Sequence, residues 1–209
     1  MDKYLLKTVA VAAAALALAA CSSAPQPAAT TAPEATKAPE KPAGPVAGKT
    51  AFYAIYKPAR TWAIDLVALS LSSGELPGFK NEDGKAALWT AIFVSPSLRQ
   101  ARHFTYAIAD AGAIQKGVTA GVAESWSGAT KGVMPFLNGD FVVDSDAAYK
   151  TAADKGADWL KDHADKKVTM SLGSAARFPA PVWYVLWGDP KSGGYAQYVN
   201  AASGELVTK

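Results

Sequence analysis

Apolar positions along this chain switch between helical and strand spacing, and glycine, proline or small polar residues mark most of the switches. Thr50 to Trp62 predicts a helix with a break or kink at Pro58, because a proline inside a helix removes a hydrogen bond and crowds the preceding turn. A strand is predicted around Ile64 to Leu71, then a Gly-rich polar loop from Ser72 to Lys85, a strand from Ala86 to Val94 and a turn opened by Ser95-Pro96. Ala101 to Ala109 alternates, with Phe104, Tyr106 and Ile108 on one face, and a short strand is expected near Val118.

Further on, Asp144-Ser145-Asp146 predicts a helix start, acidic residues suiting the positive end of the helix, and the helix is expected to run to about Ala164. Its expected inward stripe is Tyr149, Ala153, Gly156 and Leu160. Val168, Met170 and Leu172 alternate as a strand. Val182 to Gly188 is almost wholly apolar and pairs as a hairpin with Tyr195 to Val199 across Asp189-Pro190-Lys191-Ser192-Gly193-Gly194.

The two passes share an order of elements and several anchors. Leu88-Trp89-Thr90-Ala91-Ile92-Phe93-Val94-Ser95-Pro96 lies over Val182-Trp183-Tyr184-Val185-Leu186-Trp187-Gly188-Asp189-Pro190, and Phe104 to Ile108 over Tyr195 to Val199. The helices align at Lys57-Pro58-Ala59 with Lys155-Gly156-Ala157, ahead of Trp62 and Trp159. The expected fold is therefore α+β: two units of helix plus antiparallel sheet, residues 49–143 and 144–209, packed into one globular body.

Upstream the pattern changes character. Lys3 and Lys7 precede an unbroken apolar run of twelve residues, Val9 to Ala20, which has the build of a secretion signal and is shorter than the roughly 20 residues a membrane-spanning helix needs. Leu18-Ala19-Ala20-Cys21 resembles the lipobox of bacterial lipoproteins. The resemblance implies cleavage before Cys21, a covalent lipid on its thiol and a place on a membrane; Ser22 implies sorting to the outer membrane, facing the periplasm. Residues 22–48 hold six prolines and eight alanines, the composition of a tether that at about 3.1 Å per residue would reach roughly 80 Å from the bilayer.

The end of the chain carries a second resemblance. Pro181 to Val207, with its apolar strand, tight hairpin and Asn200-Ala201-Ala202-Ser203-Gly204-Glu205-Leu206, is similar to the close of PepSY-like domains. Asn200 stands where those have Asp, and serves the same turn chemistry. PepSY-like domains pack a helix on an antiparallel sheet in exported and membrane-attached bacterial proteins, and regulation of peptidases has been proposed for them. The resemblance implies a binding or regulatory module and carries over no catalytic residue.

Composition narrows the chemistry. Cys21 is the only cysteine, so once lipidated it leaves no disulfide or thiolate site, and stability has to come from a packed core. Loss of residues 1–20, with two cations and one anion, lowers the formal charge from +3 to +2, which makes no electrostatic case for nucleic acid. His103 and His163, the only histidines, lie in different elements with no HxxxH or HExxH spacing, and no metal or cofactor is expected. Glu124-Ser125-Trp126-Ser127-Gly128 lacks the leading glycine of a nucleophile elbow. Asn81-Glu82-Asp83-Gly84 and Asp140 to Asp146 lack EF-hand spacing. No catalytic centre is expected.

What remains is surface. Val182, Tyr184 and Leu186 point one way from their strand and Trp183, Val185 and Trp187 the other, so if helices cover one side, the other needs a cover too. The candidate covers are the other repeat, which is favoured, a second copy, or a bound peptide or glycan. The candidate binding surface comprises Trp183, Trp187, Tyr195, Tyr198, Arg99 and Arg102. The expected function is a non-catalytic, lipid-anchored module that binds or regulates an envelope protein, a peptidase among the candidates, or an envelope polymer; the alternative is a structural subunit of an outer-membrane assembly.

Overall fold

The structure, a computed structural model, describes residues 44–208. Residues 1–43, on which the expected signal segment, the expected lipid site Cys21 and most of the expected tether fall, lie outside the described residues. Helix α1 (Gly48–Trp62) is followed by strands β1 (Val67–Gly74), β2 (Leu88–Ser95), β3 (Gln100–Ala107) and β4 (Gly117–Ser125). Helices α2 (Ser145–Lys155) and α3 (Ala157–Asp162) are then followed by β5 (Val168–Gly173), β6 (Val182–Trp187), β7 (Tyr195–Asn200) and β8 (Leu206–Val207). The architecture is α+β. One antiparallel sheet of eight strands has the order β4-β3-β2-β1-β5-β6-β7-β8. Each half is a meander, and the halves join where β1 meets β5, with Leu71 opposite Leu172.

The helices pack on one face of this sheet, and the side chains between are apolar on both sides. Ala51, Phe52, Ile55 and Ala59 form the buried stripe of α1, at the spacing of a helical face. Beneath the helices lie Leu71, Trp89, Phe93, Phe104, Met170, Leu172, Trp183, Val185, Trp187 and Val199, all buried. Strand alternation explains the selection: Trp183, Val185 and Trp187 face the helices, and Tyr184 and Leu186 face away.

Both helix starts meet at the middle of the sheet. Ser145 is fully buried; its hydroxyl donates to the Gly84 carbonyl at 2.6 Å and accepts from the Gly48 N–H at 2.7 Å. Asp144 accepts from the N–H of Lys49 at 2.8 Å and of Ser145 at 2.7 Å, so one carboxylate caps α1 and α2 together. Gly84 sits at φ +73, and a Cβ there would fall 2.4 Å from the Ser145 carbonyl, which excludes a larger residue twice over.

Five expectations need correction. β1 starts at Val67, three residues late, because Asp65 is held in a turn by the Ser95 hydroxyl and the Ser97 N–H; Ile64 is 82% exposed. The second helix breaks at Gly156, where a Cβ would lie 2.5 Å from the Tyr195 ring. Its fully buried side chains are Ser145, Ala148 and Ala152, one position round from the expected stripe, with Tyr149 and Ala153 half-buried at the edge. β4 is nine residues long, and β8 adds a strand the pattern does not announce.

Candidate binding surface

The face of the sheet away from the helices carries one continuous transverse row of hydroxyl-bearing side chains. Reading across the pairings, Thr119 lies opposite Thr105, Thr105 opposite Thr90, Thr90 opposite Ser72, and Ser72 opposite Ser171. The row then continues to Tyr184 and Tyr198. Directly paired residues in neighbouring strands share a face, so seven hydroxyl-bearing side chains cross seven strands in line. Thr90 and Thr105 are linked at 3.4 Å, and Ser72 donates to Ser171 at 3.1 Å. The five members from Thr119 to Ser171 are neutral and small. The last two are aromatic.

At the aromatic end, the Tyr184 and Tyr198 rings lie 5.0 Å apart and Phe178 lies 5.3 Å from Tyr198. Arg177 places its guanidinium 4.6 Å from the Phe178 ring centre and 5.4 Å from that of Tyr198, and donates to the Tyr198 hydroxyl at 3.4 Å. Stacking of this kind holds an arginine in place while leaving its edge toward solvent. Burial, and secondarily the neighbouring Tyr198, raises the pKa of Tyr184.

Beside this cluster runs a shallow groove of about 230 Å³ whose lining includes Leu69, Ser70, Val133, Ser171, Phe178 and Tyr184. Its wall is the segment that returns from β4 to α2. Met134 N–H donates to the Ser174 carbonyl at 2.9 Å, Ala176 N–H to the Lys131 carbonyl at 2.9 Å, and Phe136 N–H to the Ala68 carbonyl at 2.8 Å. Phe136 then enters the core, which anchors the segment.

The six residues proposed from sequence do not meet on one surface. Trp183 and Trp187 are buried under the helices, 0% and 2% exposed, and so belong to the core and not to a binding surface. Tyr195 is half-buried on that same side, stacked on Trp159 at 5.5 Å. Arg102 lies over Phe104 at 5.4 Å and donates through Nε to the Gly121 carbonyl at 2.7 Å. Arg99 is exposed in the β2–β3 turn at φ +52. Of the six, Tyr198 is the member that lies in the aromatic cluster of the open face.

Tyr184 was legible as the alternate residue to Trp183, but nothing in the local pattern says which set the helices cover. Arg177 and Phe178 carry no periodic signal, because they sit in the irregular connection between β5 and β6.

A second cavity, of about 460 Å³, lies at the sheet's end between the β1–β2 loop and the α3–β5 loop, with Leu76, Phe79 and Val168 among its lining. Each lysine of its lining is paired: Lys167 with Glu75 at 2.8 Å, Lys166 with Asp165 at 3.7 Å, and Lys80 with Glu82 at 3.8 Å. Among the described residues no cluster of three His, Cys, Asp or Glu is placed to hold a metal, and no helix is long and apolar enough to cross a membrane. His103 is exposed on β3, and His163 stacks on Trp159 at 4.0 Å with Nδ1 2.8 Å from the Trp159 carbonyl oxygen. Comparison with protein-family models, with curated proteins and with solved structures returns no match.

Proposed function

We propose that the chain is a non-catalytic lipoprotein, anchored through Cys21 on the periplasmic side of the outer membrane, that binds or regulates an envelope protein through its open sheet face. The observation that carries this reading is the Tyr184, Tyr198, Phe178 and Arg177 cluster beside a groove of the open face. Aromatic residues and arginine are the types enriched at the centre of protein interfaces. A regulated peptidase is the partner class that the PepSY-like ending suggests.

We also read the body as two PepSY-like repeats. In support, the Trp89 indole donates to the Val46 carbonyl at 3.0 Å and the Trp183 indole to the Val143 carbonyl at 2.9 Å. Each acceptor lies two residues before its helix, and the two rings meet edge to face at 6.2 Å. The strands after them need a different pairing from the one suggested by aromatic matching: Tyr106 lies opposite Trp89 and Val199 opposite Trp183, so Tyr106 corresponds to Val199.

The test is capture from detergent-solubilised envelopes with the full chain as bait, beside the Tyr198→Ala and Arg177→Ala variants. Specific retention of one envelope protein, lost with both variants, supports the reading. A turnover activity that maps to the folded body would sink it. Radiolabelled palmitate incorporation, abolished by Cys21→Ser, tests the anchor.

The alternative, a structural subunit of an outer-membrane assembly, draws support from β4. This nine-residue strand lies at the sheet's edge, has small or exposed side chains along its length and carries Glu124 as its only charge, an edge suited to pairing with another strand. Strong self-association or aggregation of the purified chain would favour this alternative, and a stable monomer the transient binder.

A further inference from the structure

The groove on the open face has a definite charge. Lys131 and Arg177 both stand exposed at its mouth, flanking Gly132, Ala175 and Ala176, and no Asp or Glu lines either this mouth or the adjoining groove. Among the described residues neither cation has an ion pair, and with no carboxylate in the lining nothing local offsets their charge. Two uncompensated cations therefore sit together over an apolar and aromatic floor. Their chemistry differs in a useful way: Arg177 is held by two rings and presents a planar fork, while Lys131 is a mobile point charge.

We infer that the groove receives an acidic segment of a protein partner, with a carboxylate on Arg177, a second acidic group near Lys131, and an apolar side chain against Phe178, Tyr184 and Val133. This rests on the reading of the chain as a binder and specifies the contact. Val133 is 49% exposed at the groove wall, where an apolar side chain of the segment would cover it. A protein segment fits better than a simple polyanion, because a polyanion has nothing to place on the aromatic floor. The cations steer the encounter, and the rings select what stays.

The test is selection of phage-displayed random dodecapeptides on the full chain in detergent, with recovered peptides remeasured by fluorescence anisotropy. Recovered peptides are expected to place Asp or Glu within a few residues of an apolar side chain. Their affinity should fall at least tenfold with Arg177→Ala, fall less with Lys131→Ala, recover in part with Arg177→Lys, and weaken as salt rises. Circular dichroism melting of each variant separates lost binding from lost folding.

Peptides without acidic residues, or binding indifferent to Arg177→Ala, would overturn the acidic-segment proposal and leave the binder reading standing. Arg177-dependent binding of polygalacturonate or of phosphatidylglycerol vesicles, in place of peptides, would overturn the choice of a protein segment. Failure of peptides, polygalacturonate and vesicles alike, together with an empty envelope capture, would overturn both.

Discussion

Strand β6 has two faces that solve different problems with similar residues. Toward the helices it places Trp183, Val185 and Trp187, all buried, with the Trp183 indole bonded to a carbonyl and its ring against Trp89 and Phe141. Away from them it places Tyr184, half-buried, in a row that runs from threonines through serines to two tyrosines. Both faces are rich in rings, yet one is closed and the other open. The difference teaches that aromatic content alone does not locate a recognition surface. What matters is whether another element of the chain already covers the ring.

That contrast can be broken by substitution on either side. The largest effect is expected from Trp183→Ala, which removes a fully buried ring and a satisfied indole and should cost about 3–5 kcal/mol in denaturant unfolding. Tyr184→Ala, next to it in sequence, should cost clearly less, because its site is already partly open to solvent. Equal losses from the two would mean that the faces are not distinct.

Next in size is Ser145→Ala. It strips a buried hydroxyl that serves both Gly48 and Gly84, leaves both backbone groups short of a partner, and should cost about 1–3 kcal/mol. Gly156→Ala should fall in a similar range of about 1–3 kcal/mol, since the added methyl forces Tyr195 off its stack with Trp159. The near-ultraviolet circular dichroism band of the stacked rings would report that movement directly.

On the open face, Arg177→Ala should change stability by no more than about 0.5 kcal/mol while removing ligand affinity, the reverse of the core pattern. A large stability loss with Arg177→Ala would show that the cluster is structural. The exposed helix pair Lys150–Asp154 sets the floor of the scale, at about 0.3–0.5 kcal/mol for loss of either partner.

Asp65 adds a pH-dependent term outside both faces. The Ser95 hydroxyl first, and the Ser97 N–H second, lower its pKa below the ordinary carboxylate value. A carboxylate lowered in the folded state contributes stability that is present above its unfolded pKa of 3.8 and is lost as pH falls through the lower folded value. Asp65→Asn should therefore lower the melting temperature at pH 6 and have less effect near pH 3. An unchanged difference between wild type and variant across that range would refute the assignment.

Much of the fold could be read directly from local pattern. The spacing of Phe52, Ile55 and Ala59 marks the covered side of α1, and the alternation of Val168, Met170 and Leu172 marks β5 and its buried set, since each depends on neighbours a few residues away. The candidate surface was hardly legible. Trp183 and Trp187 are the largest side chains of β6, but their alternate, Tyr184, is on the open side. Arg177 acquires meaning through Phe178 and Tyr198, and Tyr198 lies 21 residues further along the chain.

By itself the sequence determined the α+β class, a first helix ending at Trp62, the helix start at Asp144 and the β6–β7 hairpin. These are local properties of period, turn chemistry and composition. The tertiary structure alone decided that β1 and β5 join the two meanders into one sheet, that Asp144 caps both helices, and that helices cover the tryptophan side of β6. Those outcomes depend on pairings between residues far apart in the chain, which the local period of either strand does not specify.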